Sequence, residues 1–156
     1  MKRRRFLQSV SCAVHQTTLV NCASRHSTRG HLEEIFMEFD DLRPPQKTAI
    51  SLLRASWKAH KNHLINAPCG FGKTALASYL AQSFASVGKR VVFVAPYVTL
   101  VDQTYTRFQQ YGHNDLSVIW RDDPRHDSRA MVQIASADTI IRRQWPANCD
   151  VMIWDE

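Results

Sequence analysis

A chain of 156 residues, 44% of them apolar, is long enough to bury one sizeable core, and a single domain is the default. No run of 18 apolar residues is present, which excludes an ordinary transmembrane helix. The net charge of +6 is uneven: residues 1–36 carry six Lys/Arg against two Glu, and residues 37–156 carry fourteen Lys/Arg against twelve Asp/Glu, so bulk charge does not argue for nucleic-acid binding. Cys12, Cys22, Cys69 and Cys149 form no C-x-x-C pair and have no ligand-spaced histidine, which speaks against a zinc site and a disulfide framework and for a reducing, cytoplasmic setting.

Residues 1–36 are polar, rich in Ser, Thr and His, and without a sustained period. Arg3-Arg4-Arg5-Phe6-Leu7-Gln8 resembles a twin-arginine export signal, but the apolar stretch that must follow is interrupted by His15, Gln16, Thr17 and Thr18. An exported interaction protein that ignores ATP is the reading this segment would favour. The alternative is that 1–36 is a disordered or non-native extension and that Met37 is the true start. The codons of Glu33-Glu34 can spell a purine-rich ribosome-binding sequence just upstream of it.

From Met37 the pattern changes. Arg43-Pro44-Pro45-Gln46 suits a helix start, because the missing proline N–H costs nothing there. Ala49, Ile50, Leu53 and Trp57 then fall on one face of a helix reaching about His60, with Lys47, Lys58 and Lys61 as its solvated side. Leu64-Ile65 reads as a short buried strand. It leads into Asn66-Ala67-Pro68-Cys69-Gly70-Phe71-Gly72-Lys73-Thr74, a small residue, four free positions and Gly-Lys-Thr. Ala67 takes the slot where glycine is more usual. Gly70 and Gly72 let the backbone turn so that successive N–H groups face phosphate oxygens. Lys73 supplies a cation for β- and γ-phosphates, and Thr74 a hydroxyl for Mg²⁺. Leu76, Ala77, Leu80, Ala81 and Phe84 mark the helix that follows, and Gly88 closes it. Cys69 is either a redox-sensitive position or a tolerated small residue.

Leu-Arg-Pro-x-Gln, a helix, a strand and a phosphate loop resemble the opening of a superfamily 2 helicase or translocase of the DEAD/DEAH and type III restriction enzyme-like kind. The resemblance implies an α/β, RecA-like P-loop NTPase domain over 37–156 with a mostly parallel sheet. It implies ATP and Mg²⁺ as ligands, held by Arg43, Gln46 and residues 67–74 (Ala67, Pro68, Cys69, Gly70, Phe71, Gly72, Lys73, Thr74). Gln46 would read the adenine edge with its amide, supported by Arg43. A helix-cap region without ligand contact is the other reading of these two residues.

Lys89 to Pro96 is a second buried strand, and Thr99 can cap a helix carrying Leu100, Thr104, Phe108 and Tyr111 up to Gly112. Residues 94–103 resemble the family's motif Ia, which implies that Pro96, Tyr97, Thr99 and Gln103 touch a nucleic-acid backbone, DNA in the first instance. Capping and surface polarity explain Thr99 and Gln103 equally simply. Leu116 to Trp120 is a third strand, and Arg121 to Arg129 a charged, solvated connector. Met131 to Ser136 is a fourth, after which Ser136 can cap a short helix through Ala137, Thr139, Ile140 and Ile141. This segment resembles motif Ib, so Ser136 and Thr139 join the backbone contacts. Arg142, Arg143 and Trp145 form either a strand-binding cluster or a helix C-terminus beside a packed tryptophan.

Val151-Met152-Ile153-Trp154-Asp155-Glu156 is a last buried strand ending in two acids. In the family this motif runs Asp-Glu-x-His. Asp155 would hold Mg²⁺ through water, and Glu156, with Lys73 the catalytic pair, would polarise the attacking water. The resemblance covers 42–156 and departs in that the sequence stops at Glu156, before the two remaining positions of this motif. The expectation is an ATP-binding half of a helicase or translocase lacking its second RecA-like domain, poorly soluble and inactive alone, or an inert nucleotide-binding remnant. Mass analysis of the N-terminus of protein made from the native message is expected to find a chain starting at Met37; a mature chain starting at Met1 overturns that start.

Overall fold

The computed structural model describes residues 37–120, 123–142 and 148–155. Pro44–Ser56 forms helix α1, Lys73–Ala85 α2, Val98–Gln110 α3 and Ala137–Arg142 α4. The strands are β1 (Val91–Ala95), β2 (Leu116–Ile119), β3 (Val132–Ser136) and β4 (Val151–Trp154). They pair in the order β2-β3-β1-β4, and every pairing is parallel, with Val91 opposite both Val132 and Val151. The domain is α/β with an all-parallel sheet, as the RecA-like resemblance implies.

A parallel sheet needs both faces covered, so its central strands read as continuous apolar runs. All five residues of β1 are buried. On one face Val91, Phe93, Val118, Val132 and Ile134 pack against Ala77 and Ala81 of α2 and Val101 and Phe108 of α3. On the other, Val92, Val94, Ile119 and Ala135 meet Ile140 of α4. α1 lies outside α2, where Leu42 and Ile50 pack on Leu76 and Tyr79. Phe39 docks the start of this segment. Its ring lies 5.4 Å from Lys47 Nζ, 5.5 Å from the Arg54 guanidinium and 6.1 Å from the Tyr79 ring.

Three sequence expectations need correction. Leu64-Ile65 is not a strand: residues 62–67 run without a ladder partner, and Leu64 is 94% exposed while Ile65 packs with the α1–α2 core. An apolar pair becomes a strand only where a neighbour offers its edge, and no described strand does so here. Thr99 is not the cap of α3, because Tyr97 holds that position with extended backbone and Thr99 lies inside the first turn. The segment after β2 is not merely solvated. Val118 donates its N–H to the Arg125 carbonyl (3.3 Å) and Asp127 donates its N–H to Ser117 Oγ (2.7 Å), so this segment covers the outer edge of β2. At the other end of the sheet, Met152 and Trp154 of β4 stay 41% and 46% exposed.

His113 is a buried titratable group between α2 and the turn after α3. Its Nε2 donates to the Ser78 carbonyl (3.1 Å), with Ser78 Oγ 2.9 Å from the same nitrogen, and its ring stacks on Phe108. Burial lowers its pKa below the ordinary 6.5. The folded state therefore favours the neutral ring. The stability this contributes is complete above pH 6.5 and is lost as pH falls from there through the folded value. The thermal midpoint is expected to fall between about pH 7 and pH 5. His113→Asn should lower the midpoint at neutral pH and make that fall smaller; an unchanged pH slope overturns the assignment.

Candidate nucleotide and nucleic-acid site

The short turn from α2 into β1 puts the end of α2 at the N-terminal edge of the sheet, so Lys73 lies at the opposite, C-terminal edge. α3 begins two residues after β1, and α4 directly after β3. Three helix N-termini thus gather along one edge, where parallel α/β sheets place their ligands. Asp155, at the end of β4, belongs to the same edge and donates its N–H to the Val94 carbonyl (3.0 Å).

The loop at 67–74 has the backbone its glycines require. Gly70 and Gly72 sit at φ +79° and +86°, conformations that side chains rarely adopt. α2 starts at Lys73 with no side-chain cap and no acid in its first turn. Its leading amides have no intrahelical partner, and together with the helix dipole they suit an anion. The Lys73 ammonium lies 3.4 Å from the Ala67 carbonyl. Cys69 is exposed at the loop surface.

If the loop amides face inward, its carbonyls must face elsewhere and find donors. Gln46 and Arg43 provide them. Gln46 Nε2 donates to Phe71 O (2.9 Å) and Gly72 O (3.1 Å), and Arg43 Nη1 donates to Gly70 O (3.1 Å). Gln46 Oε1 accepts from the Arg43 N–H at 2.8 Å, and the side chain is 3% exposed. Both amide hydrogens are thus committed to the loop, and the carbonyl oxygen keeps one lone pair. Sequence reasoning placed Gln46 at this site but did not foresee these partners.

The nucleic-acid candidates separate into two groups. Tyr97, 68% exposed, and the exposed Thr99 and Gln103 face solvent at the start of α3. Ser136 and Thr139 do not: both are buried, their hydroxyls lie 2.9 Å apart, and Ser136 Oγ accepts the Thr139 N–H at 3.2 Å. Ser136 Oγ caps α4 and the Thr139 hydroxyl is spent on it, so neither faces a passing strand in this conformation. Glu156, Arg143 and Trp145 lie outside the described residues.

The donor set fits Mg²⁺ held partly by phosphate. Thr74 and Asp155 offer a hydroxyl and a carboxylate, and Mg²⁺ commonly takes only one or two protein ligands beside phosphate oxygens and water. Among the described residues, no group of three or more His, Cys, Asp or Glu is gathered to hold a metal unaided. No described helix is long and apolar enough to cross a membrane.

Residues 39–156 match the family model of the type III restriction enzyme res subunit. The chain belongs to this family. A 60-residue stretch is also 37% identical to the ATP-dependent DNA helicase dda of Enterobacteria phage T4. That stretch covers 38% of this chain and 14% of the relative's length. No solved structure matches the chain. Membership makes this a helicase-type ATP-binding domain, and the loop, the Gln46 clasp and Asp155 lie within the matched residues.

Gly72 is held by two constraints. A Cβ there would lie 2.5 Å from Gln46 Nε2, and the left-handed backbone adds about 1–2 kcal/mol for a non-glycine residue. Gly72→Ala is expected to lower the thermal midpoint and weaken nucleotide binding. Gln46→Ala leaves two loop carbonyls without their donor, at about 1–3 kcal/mol. It also removes the atom an alanine at 72 would strike, so the double variant should be less destabilised than the two single losses added. Strict additivity in a double-mutant cycle contradicts the clasp.

Proposed function

We propose that this domain is the ATP-binding half of an ATP-dependent DNA helicase or translocase, acting in the cytoplasm with a second RecA-like domain across the nucleotide. The observation that carries the reading is the loop itself: two left-handed glycines lead into an uncapped helix whose lysine and threonine follow in the order phosphate and metal binding require. The family and the DNA helicase relative support nucleic acid as partner, and DNA over RNA.

In this reading the amides of residues 70–74 cradle the β- and γ-phosphates, and Lys73 draws charge off them. Thr74 and Asp155 would hold Mg²⁺, which when bound neutralises charge developing on the phosphoryl oxygens. Glu156 would take the proton of the attacking water, and water oxygen and γ-phosphorus form a bond as the β–γ bridge breaks. An arginine from the second domain would supply a further factor of about 10³–10⁵ in rate. Tyr97, Thr99 and Gln103 would hold the DNA backbone without reading sequence.

The test is equilibrium binding of a fluorescent ATP analogue with Mg²⁺ to the full chain and to Lys73→Ala. Saturable binding that Lys73→Ala weakens at least about tenfold, a loss of about 1.4 kcal/mol, supports the reading. Equal binding by both proteins would make the loop irrelevant and sink it.

A further inference from the structure

Gln46 carries the one carboxamide of α1, and both of its polar atoms are engaged. Nε2 has two hydrogens, and they go to Phe71 O at 2.9 Å and Gly72 O at 3.1 Å. Oε1 receives the Arg43 N–H at 2.8 Å. These partners fix which way the amide faces. Turned over, its oxygen would meet two carbonyls and its NH₂ the Arg43 N–H, like against like. The side chain is 3% exposed, and Nε2 stands 2.5 Å from where a Cβ at Gly72 would lie, so the amide fills the space beside the loop. Arg43 spends Nη1 on the same loop, at Gly70 O (3.1 Å).

Purine edges differ in what they ask of such an amide. Adenine presents an acceptor at N7 and a donor at its N6 amine, whereas guanine presents acceptors at both N7 and O6. An amide that tells them apart needs a free hydrogen for N7 and a free oxygen for the N6 amine. Gln46 has no free hydrogen. Giving one to N7 means taking it from a loop carbonyl, and a buried acceptor left without its donor opposes the exchange. The oxygen is buried with the rest of the side chain and already bound.

We propose that Gln46 is a positioning residue of the phosphate loop and not a reader of the base, so that the site takes purine nucleoside triphosphates by their phosphates and does not select adenine. This rests on the nucleotide reading above and names its substrate class. The alternative is an amide that pairs with N7 and N6 of adenine. A site built to pair a substrate group rejects the analogue that lacks it by as much as about 10⁴–10⁵, whereas a site that never pairs it leaves a ratio near one. The two roles also part under mutation. A reader acts on adenine alone. A positioning residue acts on the loop carbonyls, hence on where the amides of residues 70–74 point, hence on every triphosphate equally.

The experiment is displacement of a fluorescent ATP analogue, labelled on its ribose, from the full chain with Mg²⁺. The competitors are ATP, GTP, ITP and 7-deaza-ATP, which alter the N6 and N7 edge and leave the phosphates alone. All four should displace the probe within about threefold of one another, a spread of less than about 0.7 kcal/mol. A wider spread overturns the inference. Gln46→Met keeps the length of the side chain and removes both hydrogens without adding charge. It should weaken ATP, GTP and 7-deaza-ATP by one common factor, on the order of tenfold. Unchanged binding, or a loss confined to ATP, overturns the positioning role. Should Gln46→Met fail to fold, the wild-type comparison decides alone. Wild-type chain that binds no nucleotide, or binds it equally after Lys73→Ala, overturns the nucleotide reading and this inference together. Binding that needs Lys73 yet prefers ATP overturns the inference alone.

Discussion

The glycine loop at 67–74 keeps its shape because a buried carboxamide and one guanidinium donate to three successive carbonyls of its backbone. Gln46 reaches Phe71 and Gly72, and Arg43 reaches Gly70, across 25 to 27 residues of chain. A loop of this kind has no ladder to satisfy it, and each unmet buried group would cost about 1–3 kcal/mol. The first helix is therefore as much a part of the proposed nucleotide site as the loop is. Its proline start, its burial on Leu76 and Tyr79, and the Phe39 wedge beside Lys47 and Arg54 all serve to fix where one amide points.

The sheet supplies the other half of the geometry. Parallel pairing needs a crossover between successive strands, and the helical ones here are α3 between β1 and β2 and α4 between β3 and β4. Both begin at the same edge as α2. The site is thus a consequence of strand direction: loops that are far apart in sequence, at 68–74, 96–99, 136 and 155, arrive on one side because each follows, or faces, the end of a parallel strand. The fully buried β1 holds this arrangement, with β3 and β4 in register on its two edges.

Much of this was legible beforehand, for identifiable reasons. β1 is an unbroken apolar run, and β3 departs from one only at Gln133 and its last residue, Ser136. α2 and α3 show helical spacing and end at Gly88 and Gly112, which adopt the left-handed backbone that such endings use. The loop's glycines and lysine have a spacing that few other structures need. What was not legible depends on partners distant in sequence. Leu64-Ile65 has the composition of a strand but no neighbour. Gln46 has an amide whose targets only the fold reveals. Ser136 and Thr139 are polar, yet they spend their hydroxyls on each other. Arg125 looked like one charge among many in a mixed run, and Asp102, Asp123 and Tyr105 gather round it only when the segment folds over β2 against α3. Local chemistry announces elements and loops; pairwise satisfaction of polar groups does not show until three dimensions supply the second member.

The two glycines of the loop, alike in backbone, differ in what surrounds them. A Cβ at Gly70 would meet nothing within 4 Å, whereas one at Gly72 would run into the Gln46 amide. Position 70 is therefore restricted by its dihedral alone, and asparagine or aspartate, which enter that region most readily among side-chain-bearing residues, can occupy it. A side chain at position 72 requires the Gln46 amide to leave the Phe71 and Gly72 carbonyls it serves. The two glycines are therefore expected to tolerate replacement unequally, with the loss at 72 eased when position 46 no longer carries the amide.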